Sequence, residues 1–172
     1  AIAAYERTRL SGNSAWDRWQ AAPDPDDQDL DDLEEDDEGN TLTPTFTDGK
    51  HITAQVKLGH YVFFNKAQCN QCHLGYNFTD SLFHNLGVGW DAKDNKLKDL
   101  GRFAVTKKEE DKGAFKTPGL REVTKHAPYM HDGSIKTLRE VVDLYNQGGE
   151  KNPTLSPKLK KKLNLSDKEI DA

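Results

Sequence analysis

Apolar residues return at helical spacing in separate stretches of this chain, with long aperiodic segments between them. Residues 2–10 read as a helix closed by Gly12. Asn13 or Ser14 can cap the short turn carrying Trp16 and Trp19, which lie three apart and share a face. Ile52, Val56, Gly59 and Phe63 recur at helical spacing, so a compact domain is expected to open near His51 with a helix. From Leu74 to Phe115 the period disappears. Stretches such as "GYNFTDSLFHNLGVGW" are rich in Gly, Asn and Asp and read as long ordered loops, which need something to pack on. The clearest helix is "TLREVVDLYNQGG". Thr137 caps it, Glu140 completes a capping box, and Gly148 with Gly149 stops it. Leu138, Val141, Val142 and Tyr145 form its apolar stripe, so Tyr145 is expected to point inward. Beyond it, "SPKLKKKL" sets Leu155, Leu159 and Leu163 on one side and lysines on the other. Ser166 and Glu169 form a second capping box.

Composition qualifies this picture. The chain has 172 residues, enough for one domain or one and a half, yet only 34% are hydrophobic against 31% charged. That is a thin core, which a large apolar cofactor would help to fill. The net charge of −5 conceals an asymmetry. Asp24 to Glu38 holds 11 of the 29 acidic residues and no basic one; outside it, 24 basic residues face 18 acidic ones. This ribbon reads as a solvated, low-complexity insertion, with docking of a basic partner or loose cation binding as alternatives. The lysines of the tail read as a solvated face, with electrostatic docking of a partner as the alternative. No apolar run approaches the roughly 20 residues of a membrane span. No signal peptide is present, and nothing points to nucleic acid. Both ends break off within helix-like sequence, so a piece of a longer chain is expected.

The chemistry concentrates at Cys69-Asn70-Gln71-Cys72-His73, which contains both cysteines of the chain. A structural zinc site needs four ligands, usually from two paired clusters, and no second pair exists. A redox dithiol expects a strand before the motif, whereas a helix is expected here. C-x-x-C-H is the spacing of c-type haem attachment. The two thiols form thioethers to the two vinyl groups of one porphyrin edge, and the adjacent His73 is thereby placed as the proximal iron ligand. The occupant of the sixth position then decides what the iron does. Met130, the single methionine, is the first candidate from sequence; His84 and His131 lie in segments that could reach a haem, but read more readily as hydrogen-bonding residues.

The segments "AIAAYERTRLSGNSAWDRW", "KLGHYVFFNKAQCNQCHLGYNFTDSLFHNLGVG", "DLGRFAVT", "DKGAFKTPGLREVTKHAPYMHDGSIKTLREVVDLYNQGG" and "NPTLSPKLKKKLNLSDKEIDA" occur in this order. Together they resemble the C-terminal half of bacterial di-haem cytochrome c peroxidases, most closely the branch that matures methylamine dehydrogenase by oxidising tryptophans. The resemblance covers the chain apart from residues 20–50. It implies two cytochrome c-like domains with one haem each, peroxide reacting at the N-terminal haem and electrons passing through the C-terminal one. It implies that Cys69 and Cys72 carry the haem, that His73 ligates it, and that the carbonyls of His126 and Pro128 help hold a calcium ion. It also places Tyr145 where ordinary members keep the distal methionine, as in the tryptophan-oxidising branch, which makes Tyr145 the favoured sixth ligand and Met130 the alternative. Two features depart from the family: a single C-x-x-C-H, and the acidic ribbon.

The expected architecture is therefore mainly α, a cytochrome c-like helical domain with long ordered loops around one covalent haem. Residues 1–23 would be a helix and linker from a preceding domain, 24–50 the acidic insertion and linker, and 51–172 the haem domain. The expected partners are a second haem-bearing domain or chain and a redox partner protein, in a periplasmic or other extracytoplasmic compartment. The alternative functions are a mono-haem electron carrier and a non-catalytic haem subunit of a larger assembly.

Overall fold

The computed structural model describes Ser14, Trp16, Asp17, residues 54–159 and residues 161–172. The helix expected over 2–10, Trp19, the acidic ribbon 24–38, the linker after it and Ile52 lie outside the described residues. The chain forms two compact units, Ala1–His60 with Ala172, and Tyr61–Asp171.

In the first unit Ser14 caps a turn, as its residue type suggests: the Asp17 N–H donates to Ser14 Oγ at 3.2 Å, and Ser14 N–H donates back to the Asp17 carboxylate at 2.9 Å. Trp16 packs its ring on His60 at 5.1 Å. Helix α1 spans Ala54–Tyr61 and continues into a wider π turn, Val62–Lys66. The stripe expected on α1 is not its buried face. Val56 is 39% exposed, while Lys57 is buried with no hydrogen-bond partner for its ammonium among the described residues, and burial lowers its pKa.

The second unit is rich in helical turns and poor in sheet. Strand β1 (Phe83–Asn85) pairs antiparallel with β4 (Ala114–Lys116), setting His84 opposite Phe115. Strand β2 (Trp90–Asp91) pairs with β3 (Lys96–Leu97). These strands fall in the segment read as pure loop. At two or three residues they are too short for a period to register in sequence. A one-turn helix α2 (Phe103–Thr106) follows β3 in the chain, the ten-residue α3 spans Leu138–Gln147, and α4 spans Asp167–Ile170.

Both expected capping boxes form, at Thr137/Glu140 and Ser166/Glu169, and Gly148 ends α3 in the left-handed region at φ 87°. Arg139 of α3 pairs with Asp167 of α4 and with Asp171 just past its end, so the two helices are tied by charge as well as by contact. The lysine-rich tail is not a helix. It makes a 3-10 turn, Pro157–Leu159, and runs on irregularly, with Leu155 and Leu165 buried and Leu159 and Leu163 half-buried.

Asn85 joins these parts. It is 2% exposed, and its amide donates to the Lys112 carbonyl, to Asn152 and to Thr154, while its oxygen receives the Gly87 N–H at 2.7 Å. Gly87 sits at φ 84°, where a Cβ would lie 2.0 Å from the Glu150 carbonyl oxygen. Both the left-handed backbone and that contact exclude a side chain. Gly87→Ala is expected to cost about 2–4 kcal/mol, read as a lower denaturant midpoint; an unchanged midpoint would contradict this packing.

Candidate functional site

The attachment loop follows directly from the π turn. Ala67 N–H donates to the Val62 carbonyl, Gln68 turns the chain through the left-handed region at φ 54°, and Cys69–Gln71 form one 3-10 turn. The N–H groups of Cys72 and His73 both donate to the Cys69 carbonyl, at 3.2 and 2.9 Å, which brings the two thiols and the imidazole onto one small loop. The Asp80 N–H closes it from outside on the Cys72 carbonyl at 2.7 Å. The thiols are not joined to each other. Burial pushes Cys69 up to about 11; it also raises Cys72, against the opposing pull of the Lys158 ammonium.

His73 Nδ1 lies 3.0 Å from the Phe78 carbonyl. A carbonyl can only accept, so Nδ1 carries the proton and Nε2 keeps its lone pair for a metal. Burial, the largest influence on this imidazole, lowers its pKa against the Phe78 and Pro118 carbonyls, and so favours the neutral, ligating form.

Tyr145 comes from the third turn of α3. Its ring keeps some accessible surface, but it is packed deeply enough that burial pushes the phenol pKa up, and the nearby Cys72 and Cys69 push it the same way. Its hydroxyl makes no hydrogen bond among the described residues. The stripe of α3 is therefore half-buried, with Tyr145 near the cysteines, whereas the fully buried residue of the helix is its neighbour Leu144, which the spacing did not single out. Met130 sits at φ 69° in the turn between Tyr129 and Ile135, closed by the Gly133 N–H on its carbonyl. His131 stacks flat on Phe115, with centroids 3.6 Å apart and planes 9° apart. The carbonyls of His126 and Pro128 are on an exposed segment and accept no hydrogen bond among the described residues, which leaves both lone pairs for a hard cation or water.

Two residues beside the loop, Asp80 and Lys158, were not legible in sequence, whereas His84 makes the kind of hydrogen bond expected of it. His84 Nε2 is 2.8 Å from the Asp80 carboxylate, whose side chain is 8% exposed. Burial works to raise Asp80, but hydrogen bonds from His84, Thr117 and the Leu82 N–H outweigh it and hold the carboxyl at about 2, ionised at any ordinary pH. Lys158, from the segment read as a solvated face, donates to the Gln71 carbonyl at 2.7 Å and lies 3.6 Å from Cys72 Sγ and 3.8 Å from Asp80. Nothing in "SPKLKKKL" separates Lys158 from the other lysines; only the turn at Pro157–Leu159 does. Cys72, Asp80 and His84 are the sole trio of metal-type ligands found among the described residues, within 4.8 Å of one another. They are one short of the four that structural zinc takes, and His73 is not among them.

No protein-family model matches the chain. It is 34% identical to the "Methylamine utilization protein MauG" of Methylorubrum extorquens over 160 residues, which is 93% of this chain and 37% of that protein. It is 33% identical to the "Cytochrome-c peroxidase IdrP1" of Denitromonas iodatirespirans, covering 98% of this chain and 45% of that one, and 34% identical to the "Cytochrome c peroxidase Ccp" of Escherichia coli, covering 84% and 26%. The chain belongs to the di-haem cytochrome c peroxidase family, near MauG. It spans less than half the length of these relatives. A crystal structure of a MauG-like protein associated with microbial copper homeostasis superposes on 73% of this chain with a TM-score of 0.64 and 29% identity, covering 46% of that protein. The relatives imply haem c as the cofactor.

The residues present fit that group. Two thiols not joined to each other, an imidazole held through Nδ1 on the Phe78 carbonyl and an inward phenol without a hydrogen bond among the described residues gather in one unit, and no large side chain is completely buried among the described residues. No helix of the described residues is long and apolar enough to cross a membrane.

Proposed function

We propose that this chain is the electron-transfer haem domain of a di-haem peroxidase-like oxidoreductase, with a cytochrome c-like fold over residues 51–172. The gathering of Cys69, Cys72, His73 and Tyr145 in one unit carries the reading. Cys69 and Cys72 hold the haem covalently, and His73 ligates the iron through Nε2 while its Nδ1–H on Phe78 fixes the tautomer. The bound haem supplies a one-electron couple between donor and acceptor.

Tyr145 is the second ligand, ahead of Met130. With its pKa raised, its phenol keeps its proton at neutral pH until a nearby cation takes the oxygen, and an anionic oxygen then favours the oxidised iron. The carbonyls of His126 and Pro128 contribute to a calcium site. Residues 1–23 belong to a preceding domain and 24–50 to an acidic insertion. The partners are a second haem-bearing domain or chain, where hydrogen peroxide reacts, and a redox protein. Thioether attachment places maturation in the periplasm or another extracytoplasmic compartment.

The experiment is a haem count on the natural full-length protein with an assay of peroxide consumption. Two haems per protein and turnover are expected. A single haem without turnover would favour the second reading, a mono-haem electron carrier.

A further inference from the structure

Two opposite charges that do not belong to the attachment motif lie together beside Cys72, 3.8 Å apart. One is Asp80, nearly buried and bonded to His84. The other is Lys158, about a third exposed, which reaches 86 residues back along the chain to within 3.6 Å of the Cys72 sulfur. The lysine is held by more than attraction to Asp80. Its short bond, at 2.7 Å, goes to the Gln71 carbonyl, inside the Cys69–Cys72 turn; the Asp80 oxygen, at 3.8 Å, is more distant. The turn Pro157–Leu159 that carries it is anchored by Leu155 and Ser156, both buried, with the Ser156 N–H on the Asn85 carbonyl. A cation is thus fixed by the fold within a few ångströms of a sulfur that, in the haem reading, is bonded to the porphyrin edge.

We propose that Lys158 is a charge-setting residue of the haem centre: its ammonium, pinned on the Gln71 carbonyl beside Cys72, offsets Asp80 and raises the affinity of the iron for an electron. The inference rests on haem being attached at Cys69 and Cys72. The step concerned is the transfer of one electron from an external reductant, such as dithionite, to ferric iron, giving ferrous iron and oxidised reductant. Reduction removes one positive charge from the centre. A fixed cation nearby therefore stabilises the reduced form relative to the oxidised one, and a fixed anion does the reverse. A half-buried pair is screened less than a surface pair.

The test is a spectroelectrochemical titration of the haem-loaded full-length protein. Lys158→Gln keeps a donor for the Gln71 carbonyl and removes the charge. It is expected to lower the equilibrium constant for reducing this haem by about threefold to tenfold, the size of one charge at this range in an intermediate dielectric. Asp80→Asn is expected to raise it by a similar factor, and the double variant to return it towards wild type. Lys162→Gln, an exposed lysine of the same segment, is expected to change it little.

A purely structural Lys158 would not produce opposite shifts for the two charges. A folded, haem-loaded Lys158→Gln with an unchanged midpoint, or one matched by Lys162→Gln, overturns the proposal. Should Lys158→Gln fail to load haem, an unchanged midpoint in Asp80→Asn overturns it equally. A wild-type protein without covalent haem fails the haem reading instead, so the two failures are distinct.

Discussion

Replacing Cys69 and Cys72 together by alanine is expected to remove haem from the denatured chain completely. Thioethers survive denaturation, whereas axial ligation by His73 does not, so haem staining of the denatured protein reads attachment alone. The loss should extend to folding. Only Val62, Ala114, Leu144, Leu155 and Leu165 are buried apolar residues among those described, and none of the larger side chains is completely enclosed. A unit with so little apolar burial depends on the surface a bound porphyrin would cover, at about 25 cal/mol per Å². The double variant is therefore expected to lose its cooperative thermal transition, followed by circular dichroism. Haem stain persisting in it would end the assignment of the motif. Each single variant should retain one thioether and a reduced yield of attached haem.

Tyr145→Phe is expected to produce the second large effect. The substitution preserves the ring and its packing on α3 and removes only the oxygen. If that oxygen ligates the iron, the oxidised spectrum should lose its six-coordinate, phenolate-bound signature. The equilibrium constant for reduction should rise by about tenfold or more, because axial ligands are the strongest lever on haem potential. Met130→Leu should leave both measurements as they are. The reverse outcome, with Met130→Leu changing the spectrum and Tyr145→Phe silent, would move the ligand to Met130. The shift expected for Tyr145→Phe is opposite in sign to that for Lys158→Gln, so the two residues can be told apart by one titration.

Some of the structure was legible because it depends on neighbours in sequence. The capping boxes of α3 and α4 and the glycine stop at Gly148 are patterns of four or five residues, and each forms where its residues occur. The apolar spacing of α3 likewise anticipated that Tyr145 turns inward. It did not anticipate that Leu144 is the residue sealed by protein, because a stripe shows which face is apolar and not what covers it. The strands β1–β4 escaped notice for lack of length. Leucines at every fourth position of the tail suggest one continuous apolar side, whereas the chain makes a single 3-10 turn, Pro157–Leu159, and buries Leu155 before it and Leu165 after it from irregular chain.

The sequence by itself carried the expectation of covalent haem attachment. The spacing of Cys69, Cys72 and His73 is covalent connectivity, and no fold is needed to bring the three together. It also carried the family, since ordered similarity over most of the chain survives without coordinates. Tertiary structure decided what surrounds that motif. His73 acquires its tautomer from the Phe78 carbonyl, Asp80 its charge from His84 and Thr117, and Cys72 its cation from Lys158. These pairings join residues up to 86 positions apart through turns whose individual residues look ordinary. The physical reason is that proximity in the fold is set by how the intervening elements pack, while a single side chain in sequence states only what it can bond to, not what it will meet.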